Sequence, residues 1–248
     1  MTGPWQLVDG PSGVLRTYAT TTAGTVGKSS VLVCHELPRI RQSAADAGRT
    51  FPALADRLSQ ESGVPVAVGM LRGAGGSEGD FSVSGWLEDL RFLLDRQAGS
   101  AGSVWLVGFG LGGALALQVA VDDQRVAGVA SLAAPADLSG WAADPAAVLD
   151  RCHRSGVVHT EGFPADVAAW AGELAALRPL EAAEALGDRP LLVVHGTEDG
   201  EVPTAAARAL ADASLGPTDL RVIPGAGRWL RADPRVVATL IGWVERQR

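Results

Sequence analysis

The chain is expected to fold as a single α/β domain, a mostly parallel sheet with helices on both faces. Three observations carry that expectation. Short apolar runs alternate with helix-patterned segments in a βαβα order, which argues for a sheet covered on both sides. The 248 residues suit one domain, since sheets of this class often reach that length without splitting. A hydrophobic fraction of 47% is ample for a buried sheet.

Taken in order, runs near 5–8 and 14–20 read as two strands forming an antiparallel edge. A strand at 30–34 is followed by a helix around 45–61 and a buried strand at 65–70. Trp86, Leu87, Leu90, Leu93 and Leu94 recur at helical spacing and mark a helix over 83–96. The apolar strand 103–107 runs into a glycine-rich turn and an alanine-rich helix at 114–121, and a strand follows at 126–132. From about 138 to 178 the periodicity and charge change, which marks an insertion carrying Trp141, Asp144-Pro145, Cys152-His153-Arg154, His159, Phe163-Pro164 and Trp170. The core resumes at 179–187, with strands at 191–195 and 220–223 and helices at 204–213 and 234–248. No repeat or low-complexity linker interrupts it.

Composition narrows the function. With 28 acidic against 21 basic residues the net charge is −7, so the electrostatic footprint of a nucleic-acid partner is missing. The basic residues are nearly all arginine, Lys28 being the only lysine, which reads as GC-rich coding and carries no function. The opening residues lack the charged and apolar regions of a signal peptide, and no apolar run approaches the ~20 residues of a membrane helix. A cytoplasmic protein without a membrane partner is the expectation; its oligomeric state is open. Cys34 and Cys152 are too few for a disulfide framework and have no metal-ligand company, so packing roles, no metal and no cofactor are expected.

The motifs fall in one order. Gly108-Phe109-Gly110-Leu111-Gly112-Gly113 joins a strand to a helix, Pro190 to Pro203 contains His195-Gly196-x-x-Asp199-x-x-Val202-Pro203, and the last strand runs into Gly225-Ala226-Gly227-Arg228-Trp229. Upstream stand Val31 to Pro38, with His35-Glu36-Leu37 at the strand end, and Arg72-Gly73-x-Gly75-x-Ser77-x-Gly79. Gly108-x-Gly110-x-x-Gly113 also satisfies a dinucleotide fingerprint, but the next strand ends in Ala133-Ala134-Pro135 without an acid for a ribose.

Together these stretches resemble the α/β-hydrolase-fold superfamily, its small-lid esterase and dienelactone-hydrolase-like branch, over nearly the whole chain. The resemblance implies one domain, 1–248, with a short helical lid at about 138–178. It puts Gly110 at the nucleophile position of the G-x-S-x-G elbow, Asp199 at the triad acid, and Arg228 at the base, where the family usually reads G-A-G-H. The backbone N–H groups of Leu37 and Leu111 then form the oxyanion hole, and His35 braces that loop. Glu36 is expected to face water, Arg72 to tie its loop to backbone carbonyls, and Ser77 to bond within its own turn. A ligand would meet His35, Glu36, Gly110, Arg228 and Trp229, with His153 and His159 joining if the lid folds over the pocket.

Glycine has no side chain, and an arginine of pKa above ~12 cannot serve as a base near neutrality. Ordinary acyl-enzyme hydrolysis is therefore expected to be absent or feeble. The leading expectation is a non-hydrolytic protein that binds a small, anionic molecule or regulates through it. Alternatives are a lyase, isomerase or cyclase using the oxyanion hole without acylation, a weak hydrolase that activates water directly, and a structural partner.

Overall fold

In a computed structural model, which describes residues 5–20, 29–38 and 50–247, eight strands form one sheet in the order β1-β2-β4-β3-β5-β6-β7-β8. β1 (Gln6–Gly10), β2 (Gly13–Ala19) and β4 (Val66–Met70) pair antiparallel at one edge, as the N-terminal pattern predicts. From β4 onward every pairing is parallel, through β3 (Ser29–Cys34), β5 (Ser103–Phe109), β6 (Val126–Leu132), β7 (Leu191–Gly196) and β8 (Thr218–Ile223).

Alternation along the strands divides the core. Val31, Val33, Val107, Ala130 and Val194 face α1 (Phe51–Ser62) and α9 (Pro234–Arg246), while Leu32, Cys34, Leu106, Val129 and Leu191 face α2 (Val83–Ala101), α3 (Leu111–Asp122), α7 (Pro179–Ala185) and α8 (Thr204–Ala213). Successive strand side chains point to opposite faces, so a run apolar at every position is buried on both. On one face Trp243 meets Trp105 edge-on at 5.3 Å between ring centroids, and on the other Trp86 meets Phe81 at 4.6 Å. Each such side chain removes enough apolar surface from water to contribute a few kcal/mol, of order 2–3.

Three helices, α4 (Ser139–Ala142), α5 (Pro145–Ser155) and α6 (Val167–Ala176), lie between β6 and α7, in the segment expected from its periodicity to be an insertion. The Asp144-Pro145 pair starts α5, since the Asp144 carboxylate accepts from the Ala147 N–H and proline occupies the first turn. Helix bounds differ from the expectation in places. α2 runs on to Ala101, and α3 begins at Leu111, because the glycines there are themselves helical. The expected start of the first helix near residue 45 lies outside the described residues. No helix among the described residues is long and apolar enough to cross a membrane.

Candidate functional site

The β5–α3 turn is built from glycines because backbones approach there. A Cβ on Gly108 would lie 2.3 Å from the Gly112 carbonyl oxygen, and one on Gly112 2.3 Å from that of His35. Gly110 has φ 52° and ψ −124°, a conformation that side-chain-bearing residues adopt only under strain. Its N–H donates to the Leu132 carbonyl at 2.8 Å and its own carbonyl accepts from Gly113, which fixes the turn at the start of α3. The N-terminus of α3, with its free N–H groups and positive dipole end, is thereby set at the C-terminal edge of the sheet.

The loop after β3 lies against this turn. His35 is fully buried, its Nδ1–H donating to the Glu36 carbonyl at 2.8 Å while Nε2 accepts from the Leu71 N–H at 3.0 Å. Both nitrogens are thus used within the protein, and burial holds the ring pKa below its ordinary value, keeping it neutral. His35 braces the loop, as expected, and presents no nitrogen to a ligand. Leu37 is buried at the end of that loop.

Asp199 sits in the loop after β7 with its side chain fully buried. Oδ1 accepts from the N–H groups of Glu201 at 2.9 Å and Val202 at 3.2 Å, and Oδ2 lies 3.4 Å from His195 Nε2, which also faces the Val202 carbonyl at 2.9 Å. Burial pushes the carboxyl pKa up, but His195, the two backbone N–H groups and the Arg228 charge outweigh it and hold it at about 2.

Arg228, in the loop after β8, is only 8% exposed and turns inward. Its Nη1 lies 3.6 Å from Asp199 Oδ2 and its Nε 3.5 Å from Glu201 Oε2. These are ion-pair distances and not hydrogen bonds, and among the described residues neither Nη1 nor Nη2 has a hydrogen-bond acceptor. A Cβ on Gly110 would lie 2.9 Å from Arg228 Nη2 and 2.9 Å from the Cβ of Glu36. The guanidinium therefore borders the space in which a residue at position 110 would place its side chain.

Glu36 departs from its expected exposure. Its Oε1 accepts from Arg231 Nη1, and the pair is largely buried. Arg231 is held by Thr50 Oγ1 at 2.6 Å and lies between two rings, 4.9 Å from the centroid of Phe51 and 4.1 Å from that of Trp229. A buried charge needs a partner, and Glu36 and Arg231 supply one another's. Trp229, at 37% exposure, stacks on this cation from the rim.

The insertion reaches the same place from above. Arg151 on α5 donates to Glu201 at 2.8 Å and lies 5.3 Å from the Trp141 ring centroid. A cavity of about 240 Å³ lies between Leu37 and the insertion, bordered by Trp141, Ala147, Val148 and Arg151. The histidines of the insertion do not line it. His153 is exposed, its Nδ1 3.2 Å from the Val158 carbonyl, and the exposed His159 donates its backbone N–H to Asp80 at 2.7 Å.

Gly110, Asp199, Arg228, Glu36 and the loops bearing Leu37 and Leu111 thus converge, Trp229 stands at the rim, and His153 and His159 stand apart. Two further expectations need correction. Arg72 pairs with the Asp89 and Glu88 carboxylates of α2 instead of backbone carbonyls, because α2 brings a fully buried aspartate beside it. Ser77 reaches beyond its own turn, accepting from the Arg16 N–H and donating to the Met70 carbonyl. The sequence reading did not find Arg231, Glu201 or the packing of His195 on Asp199. An arginine three residues after Arg228 was the only available signal for the first, and nothing local marks its partner. No group of three or more His, Cys, Asp or Glu is placed to hold a metal ion among the described residues.

A search of curated proteins gives no match. Among solved structures, the chain is similar to an alpha-beta serine hydrolase homologue from Coxiella burnetii, at 22% identity over 99% of this chain and 97% of that one, with a TM-score of 0.60. Est1E from Butyrivibrio proteoclasticus with ferulic acid bound matches at 17% identity over 97% and 96%, with a TM-score of 0.71. A mutant meta-cleavage product hydrolase from Pseudomonas fluorescens complexed with acetates matches at 17% over 100% and 99%, with a TM-score of 0.70. These likenesses concern the fold. The sequence model described as the alpha/beta hydrolase family matches residues 28–240, and with the strand order and the strand-turn-helix at Gly110 already in place, this chain belongs to that family.

Proposed function

We propose that this chain is a non-hydrolytic member of its family that binds a small anionic molecule at the β5–α3 turn, beneath α4–α6 acting as a lid. One observation carries the reading: the Arg228 side chain is 4% exposed, borders Gly110, and has two guanidinium nitrogens without a hydrogen-bond acceptor among the described residues. Donors left unpaired in a buried place are costly, and an anion would satisfy them. The start of α3 favours negative charge in the same direction, and the N–H groups of Leu37 and Leu111 stand at the loops that would complete the hole. Compared with a resting triad of charged aspartate and neutral histidine, Asp199 with Arg228 carries one more positive charge. Acids bound to Est1E and to the meta-cleavage product hydrolase are consistent with an anion in such a fold. Catalysis through an acyl-enzyme has neither nucleophile at Gly110 nor base at Arg228.

The test is calorimetric titration of the full chain with acetate and with inorganic phosphate, repeated on Arg228→Gln. Saturable anion binding that weakens at least about tenfold in the variant supports the reading, a loss of charge-assisted hydrogen bonds of that size being ordinary. Equal affinity in both proteins, or ester hydrolysis at rates of a working hydrolase, overturns it.

A further inference from the structure

We infer that the ligand of this site is a small carboxylate with a hydrogen-bond donor, hydroxyl or ammonium, on the carbon next to the carboxyl group, held between Arg228 and Glu36. The inference rests on the anion reading above and specifies the other half of the molecule.

Two residues that border position 110 carry unmet hydrogen-bonding capacity. Arg228 contributes Nη1 and Nη2, which have no acceptor among the described residues, and Glu36 contributes Oε2, a buried carboxylate oxygen with no donor among them. The residues approach the same point, Nη2 of one and Cβ of the other each lying 2.9 Å from where residue 110 would carry its Cβ. The two residues do not satisfy each other. Glu36 is committed through Oε1 to Arg231, which is itself fixed by Thr50 and by the rings of Phe51 and Trp229. Arg228 is drawn toward Asp199 and Glu201.

An acceptor-only ligand such as a simple carboxylate would meet the guanidinium and leave Glu36 Oε2 unpaired. A donor-only ligand would do the reverse. A carboxylate with a donor on the adjacent carbon offers an acceptor to Arg228 and a donor to Glu36. Charge points the same way. Asp199, Glu201 and Glu36 are set against Arg228, Arg151 and Arg231, so the cluster is balanced. A phosphate monoester would add about −1.5 to −2 beside Glu36. A 2-hydroxy acid adds a single negative charge, and a 2-amino acid, as its zwitterion, adds none.

The experiment is calorimetry on the full chain near neutral pH with lactate, alanine, propanoate and methyl lactate. Lactate or alanine should bind at least about tenfold more tightly than propanoate, the gain of a hydrogen bond to a charged acceptor, and methyl lactate should not bind. Whichever of the first two binds identifies the donor as hydroxyl or ammonium. In Glu36→Gln the amide oxygen takes the bond from Arg231 and the NH2 group faces the ligand, so the advantage over propanoate should vanish. Should that variant not fold, the wild-type ratio decides alone. Propanoate binding as tightly as both others, or an advantage that survives in Glu36→Gln, overturns the inference and leaves the anion site standing. Methyl lactate binding as well as lactate, or no binding by any of the four, removes both.

Discussion

The guanidinium of Arg228 and the α-carbon of Gly110 share one small space, with Nη2 2.9 Å from the position a Cβ on residue 110 would take. A side chain at 110 therefore has to displace Arg228 or move the Glu36 loop, and the two positions cannot be altered independently.

Gly110→Ser alone is expected to destabilise the fold by about 1–3 kcal/mol, because φ is positive there and the new Cβ meets Arg228 and Glu36. Arg228→His in the same chain should relieve the contact. The double variant should cleave short p-nitrophenyl esters measurably while each single variant does little, since the groups of a triad act as a unit. Equal ester rates in all three variants would contradict this.

The wild-type protein should form no covalent adduct with a serine-directed fluorophosphonate. Intact mass before and after incubation measures it. A stoichiometric gain localised to Ser77, whose hydroxyl is held by Met70 and Arg16, or to another serine would reveal a nucleophile outside the turn.

Arg228→Ala leaves the Asp199 carboxylate buried without its cation and should lower stability by about 3 kcal/mol, the usual cost of breaking a buried pair. Arg228→Lys restores charge but not the planar fork and should recover part of it. Thermal melts of the two variants check both outcomes, and an alanine variant that melts like wild type would place the guanidinium outside the pair.

Asp199 contributes to the acid limb of stability. Its carboxyl is held at about 2 in the folded chain, below its unfolded value, so its contribution is complete above about pH 4 and is lost as pH falls toward 2. Urea midpoints measured across that interval should fall in wild type. Asp199→Asn should be less stable at neutral pH and flatter across the same interval.

Most of the fold was legible because its signals are local or periodic. β6 and α8 begin and end where their apolar runs do, and the antiparallel edge follows from two short strands with no room for a crossover between them. The turn at Gly110 was legible from glycines spaced for close backbone approach. Glu36 was misread because nothing beside it in the sequence shows a counter-charge; its partner Arg231 lies 195 positions away and arrives only when the segment leading into α9 packs beside α1. Arg72 was misread for the same reason, since a helix turn carrying Asp89 supplies what the loop itself does not. Long-range charge pairing is decided by tertiary packing, which periodicity does not encode.

The crowding between positions 110 and 228 also constrains mutation at both. Glycine and serine, and arginine and histidine, can each be one base apart in the genetic code, so a serine at 110 and a histidine at 228 lie two point substitutions from this chain. The route that introduces serine first must pass through a protein with a strained turn pressed against a guanidinium. The route that replaces the arginine first passes through one whose turn is undisturbed but whose buried Asp199 has lost its cation and keeps only His195 beside Oδ2. Both first steps therefore cost stability, and a selection for esterase activity starting from this gene should recover the two changes together or behind a stabilising substitution elsewhere.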